Sequence, residues 1–288
     1  MTSFLPVFTN DWLLDYRPFP DKPSNVFEEH WHEVVLSLLF YGTIHLLSPF
    51  VMSRWMGSHY TTLPKRTRVN FDVHVVSMVQ CFISIASLAP MWNHSHWQNR
   101  LNDPKSSIEG STPYGSFVAA ITVGYFVWDV IVCTVYFLLF GLGFLVHGLA
   151  ALYVFSFCMR PYAQPWIPAF LLFELSTPFV NINWFASKLP AGVIGSKTFI
   201  INGLCLLFTF FTVRILWGFY AVTIVARDMF AVWNDNPKFL PVTILGLNVT
   251  LDVLNVFWFQ KMVKIATKKA RGSTSTRAAA KETAQKIE

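Results

Sequence analysis

The stretch that decides the fold runs from Phe117 to Arg160: FVAAITVGYFVWDVIVCTVYFLLFGLGFLVHGLAALYVFSFCMR. Before its closing arginine it carries one charged residue, Asp129, and one histidine, His147. Two apolar runs, at about 117–138 and 141–160, almost abut at the Gly-rich link Phe140-Gly141-Leu142-Gly143. A helix needs roughly 20 apolar residues to cross a bilayer. The stretch therefore reads as two membrane spans joined in a tight helical hairpin.

Further apolar runs lie at about 30–53, 69–91, 166–187, 198–228 and 241–265, which makes seven spans in all. The sixth is overlong and contains Arg214, so a tilt or an extension beyond the bilayer is expected. Pro178, within LSTPFVN, should kink the fifth span and free a backbone carbonyl.

Composition points the same way. Of 288 residues, 53% are hydrophobic, 17% aromatic and only 13% charged, and the mean hydropathy is +0.44. A soluble chain carries about 25% charged residues. Disorder, collagen, coiled coil and a small disulfide scaffold are excluded. The fold class is all-α: a polytopic transmembrane helical bundle of about seven spans. The net charge of +6 comes from basic residues flanking apolar runs, as membrane insertion requires, so no nucleic-acid partner is expected. Cys81, Cys133, Cys158 and Cys205 all sit inside apolar runs and read as free thiols packed as small hydrophobes. The start, MTSFLPVFTNDWLLDYRPFPDKP, lacks a basic region followed by a long apolar one, so no cleaved signal peptide is expected.

Charge sets the expected orientation. Seven spans put the termini on opposite sides. One side collects eleven flanking basic residues: Arg54, Lys65, Arg66, Arg68, Lys188, Lys197, Lys261, Lys264, Lys268, Lys269 and Arg271. The other collects seven: Arg17, Lys22, Arg100, Lys105, Arg160, Arg227 and Lys238. The richer side should be cytosolic. Residues 1–29 then form a lumenal segment, 30–265 the transmembrane domain, and 266–288 a disordered basic cytosolic tail. The sequon Asn93-His94-Ser95 falls on the lumenal side. Lys264, Lys268, Lys269 and Arg271 are placed to touch anionic headgroups, at about 1 kcal/mol each.

Ionisable groups inside a bilayer are costly and usually face a bundle interior. Asp129, His147, Glu174, Arg214 and Asp252 are such groups, accompanied by Asn181, Asn183, Asn202 and Asn255. Counted at about 1.5 Å per residue, Glu174 and Asp252 lie nearest in depth to Arg214, so an ion pair with one of them is expected. His147 and Asp129, on consecutive helices, fall close enough for a hydrogen bond. No phosphate loop, dinucleotide fingerprint, nucleophile elbow or zincin motif is present. His30 and His32, at i and i+2, point to different helix faces, and His94 with His96 has no carboxylate neighbours in sequence. Neither pair is expected to hold a metal, and no cofactor is implied.

An ordered set of short motifs carries a resemblance. It comprises Gly124-Tyr125-Phe126-Val127-Trp128-Asp129, Phe144-Leu145-Val146-His147-Gly148-Leu149, Glu174-Leu175-Ser176-Thr177-Pro178-Phe179-Val180-Asn181, Ile201-Asn202-Gly203, Val213-Arg214-Ile215 and Leu251-Asp252-Val253-Leu254-Asn255. From about Arg68 to Lys264 the chain resembles the TLC-domain (TRAM/LAG/CLN) membrane proteins, and within them the small stand-alone branch rather than the ceramide synthases. The resemblance implies a six-helix barrel with one extra N-terminal helix, a lipid-accessible cavity, an endoplasmic-reticulum location and a role in lipid homeostasis. The synthase branch uses an adjacent histidine pair, and here its second position is Gly148. The function expected is therefore lipid binding or sensing. Glu174, Asn181, Arg214, Asp252 and Asn255 are candidate binding residues, and membrane lipids are the partners. A membrane-embedded acyltransferase using His147 and Asp129, and a transporter or channel, stand as alternatives.

Overall fold

A computed structural model describes the backbone of residues 6–190 and 192–285, with side chains as far as 268. Among the described residues every regular element is helical. Helix α1, Val26–Met56, starts where the Asn25 side chain accepts from the amides of Phe27 and Glu28 at 3.0 Å. Glu28 and Glu29 occupy its first turn and Arg54 its last, which matches the helix dipole at both ends. Helix α2, Lys65–Leu88, runs back and is prolonged by a 3-10 turn, Ala89–Met91.

Helix α3, Pro113–Val135, is the axis of the bundle. Thr112 caps it by accepting from the amide of Gly115 at 3.0 Å, with proline in the first turn. Val118, Ala119 and Ala120 have no accessible surface. On its other face the Ser37 hydroxyl of α1 donates to the Ile121 carbonyl at 2.6 Å. A Cβ on Gly124 would stand 2.4 Å from the Val34 carbonyl oxygen, so only glycine permits α1 and α3 to approach this closely. The hairpin expected after α3 is present. A short turn, Phe137–Phe140, leads to Gly141, whose φ of +77° suits glycine. Helix α4, Leu142–Cys158, then packs back along α3.

The fifth apolar run is not one helix. It is a 3-10 turn Gln164–Trp166, a short helix Ile167–Leu171, a 3-10 stretch Leu172–Ser176 and helix α5, Thr177–Lys188. The expected kink at Pro178 is thereby corrected: the break precedes it. Pro178 sits in the first turn of α5, where its missing N–H would be unpaired in any case. The sixth run is a continuous 36-residue helix, Ser196–Ala231. It comprises α6, Ser196–Phe210, a π-helical segment Phe211–Leu216 that carries Arg214, and α7, Trp217–Ala231.

Helix α8, Phe239–Gln285, closes the bundle. Its backbone stays helical through 285, where the sequence led us to expect disorder from 266. The side chains beyond 268 and all of 286–288 lie outside the described residues. Five of these helices are long and apolar enough to cross a membrane; α4, with 17 residues, is shorter. Leu46, Phe50, Trp55, Leu138 and Phe208 stand exposed on the outer surface, as a lipid-facing bundle requires and an aqueous one would not tolerate.

One end of the bundle is covered by a polar cap. Ser107 donates to Asp228 at 2.6 Å and accepts from the Trp166 indole at 2.8 Å. Gln164 accepts from the Thr112 amide at 2.7 Å and donates to Ser116 at 2.9 Å. Asn236 donates to Glu109 at 2.9 Å, and the Tyr114 amide donates to the Thr9 carbonyl at 3.1 Å. The N-terminal segment and the loops after α2, α4 and α7 therefore meet at one end.

Candidate functional site

Asp129, Glu174 and Arg214 face one region between α1, α2, α3, the broken fifth run and the π segment, with His147 beside it on α4. Arg214 is buried. Its Nε donates to the Ser176 hydroxyl at 2.9 Å and its guanidinium to Thr177 Oγ1 at 3.2 Å. Phe210 and Phe173 flank the guanidinium, with ring centroids 5.2 and 5.8 Å away. The expected ion pair is corrected here: among the described residues Arg214 has no carboxylate within 4.0 Å. Hydroxyls from the last residue of the 3-10 stretch and the first of α5 take two of its donors instead.

Glu174 lies two residues before Ser176; its carbonyl accepts from the Thr177 amide, and its carboxylate forms no hydrogen bond or ion pair among the described residues. Its charge acts on Tyr41, Cys81, Tyr125, Asp129 and Arg214, so it faces the middle of the bundle from the fifth run. Asp129, Glu174 and His147 each keep some accessible surface. A carboxylate that is neither paired nor sealed is available to a ligand.

His147 does not hydrogen-bond Asp129, which corrects a second expectation. Its ring meets Phe126 and Trp258 edge-on, at 6.1 and 5.6 Å, and it stands in the field of Arg214. Asp129 is instead pressed against the next residue. Its Oδ2 lies 2.7 Å from where a Cβ on Gly148 would stand. The Asp129 carboxylate thus occupies the volume that a side chain at 148 would need.

The remaining candidates are distributed around this centre. Asp252 is buried on α8, with Oδ1 3.5 Å from the place of a Cβ on Gly218, and Asn255 is buried one turn on. Asn181 belongs to a separate clasp between α5 and α2. Its Oδ1 meets His74 Nδ1 at 2.7 Å, its amide donates to Ser77 at 3.2 Å, and Trp184 stacks on His74 at 4.3 Å. Asn202 donates to the Phe179 carbonyl at 2.9 Å. Tyr41 and Tyr125, whose rings meet at 5.1 Å, join the centre without having been singled out in the sequence. Two clefts lie at the ends of the bundle, away from this centre. One is in the cap beside Trp97 and Gln164; the other is between Lys65, Arg66 and residues 135–139.

A helical membrane bundle that collects two carboxylates, a buried arginine and a histidine between its helices defines a class: a multi-pass membrane protein with a polar interior site. The chain belongs to the TLC-domain family, whose description matches residues 70–264. It is 38% identical to Topoisomerase I damage affected protein 4 of Saccharomyces cerevisiae, over 90% of this chain and 92% of that one. An uncharacterised TLC domain-containing protein of Schizosaccharomyces pombe is 37% identical, over 89% and 86% of the two chains. Human TLC domain-containing protein 4 is 27% identical, over 80% and 88%. No solved structure matches this chain.

Proposed function

We propose that this protein binds a membrane lipid at its interior polar site and thereby contributes to lipid homeostasis in an endoplasmic-reticulum type membrane. The observation that carries the reading is Arg214, held by Ser176 and Thr177 on a π-helical segment while Glu174 nearby stays unpaired. π segments recur at functional sites because they turn a side chain away from its α-helical direction. An arginine beside a free carboxylate offers both donors and an acceptor to a headgroup in a region where unpaired polar groups are expensive. The reading includes a lumenal N-terminus, a cytosolic C-terminus, and headgroup contacts from Lys264, Lys268, Lys269 and Arg271.

The acyltransferase alternative has less support. A carboxylate orients a histidine base by hydrogen-bonding its ring, and among the described residues His147 has no hydrogen bond to Asp129. Gly148 in turn is kept free of a side chain by the Asp129 carboxylate.

The test is mass spectrometry of lipid retained by the purified full-length chain in mild detergent. One lipid class should be enriched over the surrounding extract, and Glu174→Gln and Arg214→Met should each reduce that enrichment severalfold. Retained lipid that mirrors the extract would refute the reading. So would release of free CoA from acyl-CoA that depends on His147.

A further inference from the structure

Where the N-terminal segment meets α1, three side chains outside the interior site converge. His30 Nδ1 lies 2.9 Å from Glu33 Oε2 and 3.5 Å from Asp11 Oδ2. One ligand atom from each of the three lies within 4.8 Å of the others. The carboxylates of Asp11 and Glu33 are 0% exposed and the His30 side chain 3%. Asp11 Oδ1 accepts from the Leu13 amide at 2.9 Å, yet Asp11 Oδ2 and Glu33 Oε1 are buried without a hydrogen-bond partner. The nearby Arg17 spends its guanidinium on the carbonyls of Pro20, Asp21 and Glu29. Among the described residues no lysine or arginine pairs with either carboxylate.

We propose that Asp11, His30 and Glu33 form a divalent-metal site of the zinc class that pins the N-terminal segment to α1. Two carboxylates removed from water side by side need compensating positive charge, and a divalent cation with a neutral imidazole leaves the site uncharged. Zinc takes His nitrogen and carboxylate oxygen at roughly 2.0–2.2 Å in a tetrahedron, which sets ligand atoms about 3.4 Å apart, close to the 3.5 Å between Asp11 and His30. Ligation through Nδ1 leaves the proton on Nε2, which faces Glu29 Oε2 at 4.0 Å, the outer carboxylate that metal-bound histidines commonly have. His32 sits outside the set. Its Nε2 meets the Leu13 carbonyl at 2.9 Å and so positions the loop that delivers Asp11. The sequence conceals the site because its ligands on α1 are His30 and Glu33, one turn apart on one face, and the third comes from the segment before the helix. The inference does not depend on the lipid reading.

The test uses the full-length chain in detergent, stripped with a chelator and titrated with Zn²⁺ alone and with Co²⁺ alone. One ion per chain should bind, and Co²⁺ should develop the visible absorption of a tetrahedral site. Asp11→Asn and Glu33→Gln should each weaken binding roughly tenfold or more, since even outer-shell changes cost about 10–100-fold. Melting of the stripped proteins reports whether the variants are folded, and the Co²⁺ spectrum of the unaltered chain does not depend on them. His96→Asn, which alters the other histidine pair, should bind as the parent does. Failure of the stripped parent to take up either ion at micromolar concentration would overturn the proposal. So would unchanged binding by Asp11→Asn, or loss of binding in His96→Asn.

Discussion

Gly148 ties the site to its chemistry through one missing side chain. The sequence marks Asp129 and His147 as costly groups in a membrane, and marks 148 as a position without the second histidine of the synthase branch. It cannot say what fills the volume left there, because Asp129 is nineteen residues away and reaches it only when α3 and α4 pack. A Cβ at 148 would also come within 3.2 Å of Val130 Cγ2. Overpacking of this kind costs about 1–3 kcal/mol. Gly148→Ala should therefore lower the melting temperature, and Asp129→Ala in the same chain should restore part of the loss, a coupling expected of groups in direct contact. Thermal unfolding of both single variants and the double variant checks it. A Gly148→Ala chain as stable as its parent would mean that Asp129 points elsewhere.

Helix positions were legible from apolar runs: all seven runs fall on helical segments, five of them long and apolar enough to cross a membrane. Partners across the bundle were not, and the reason is geometric. Depths counted at 1.5 Å per residue assume α-helix throughout. The 3-10 stretch Leu172–Ser176 rises about 2.0 Å per residue with three residues per turn, and the π segment adds its own offset to Arg214. Both displacements act on the fifth and sixth runs, so Ser176 and Thr177 meet the guanidinium where Glu174 or Asp252 was expected. The short elements of the cap behave differently, since their ends are set by side-chain acceptors. His94 accepts from the His96 amide at 3.3 Å to start the helix Ser95–Asn99, and the two rings stack at 5.0 Å. Burial first, and then the charge of His96, hold His94 below its ordinary value. The unfolded chain therefore binds more protons than the folded one below about pH 6.5. This contribution to stability is complete above that pH and is lost as pH falls toward the depressed native value. Melting temperature should fall between pH 7 and 5. His94→Asn, which keeps a capping acceptor and cannot titrate, should flatten that slope; an equal slope in the variant would assign the proton uptake to another group.

Across the whole molecule, the number of crossings is carried by which loops meet. The cap gathers the N-terminal segment with the loops after α2, α4 and α7. At the opposite end Arg66 donates to the Leu138 carbonyl at 3.3 Å, between the α1–α2 and α3–α4 connections. Alternate connections therefore share an end, as chain passes that alternate in direction require. The apolar pattern made this alternation legible. The contents of the cap stayed hidden, since Ser107, Gln164 and Trp166 in short helical turns and Asp228 near the end of α7 carry no local signal until distant segments meet. Which end faces which compartment rests on charge: eleven flanking basic residues lie at the end away from the cap and seven at the cap end. The charge bias over short loops sets orientation, so the cap is expected in the lumen and α8 is expected to end in the cytosol. The Asn93-His94-Ser95 sequon belongs to the cap end. An engineered acceptor site placed before Thr9 should gain a glycan in cells, and one appended after Glu288 should remain bare. Protease added to sealed microsomes should remove a tag at the C-terminus and spare one at the N-terminus. Glycan on the C-terminal acceptor would invert the orientation and leave the packing of the bundle intact. Glycan on both acceptors would require an even number of crossings, contradicting the alternation of loops between the two ends.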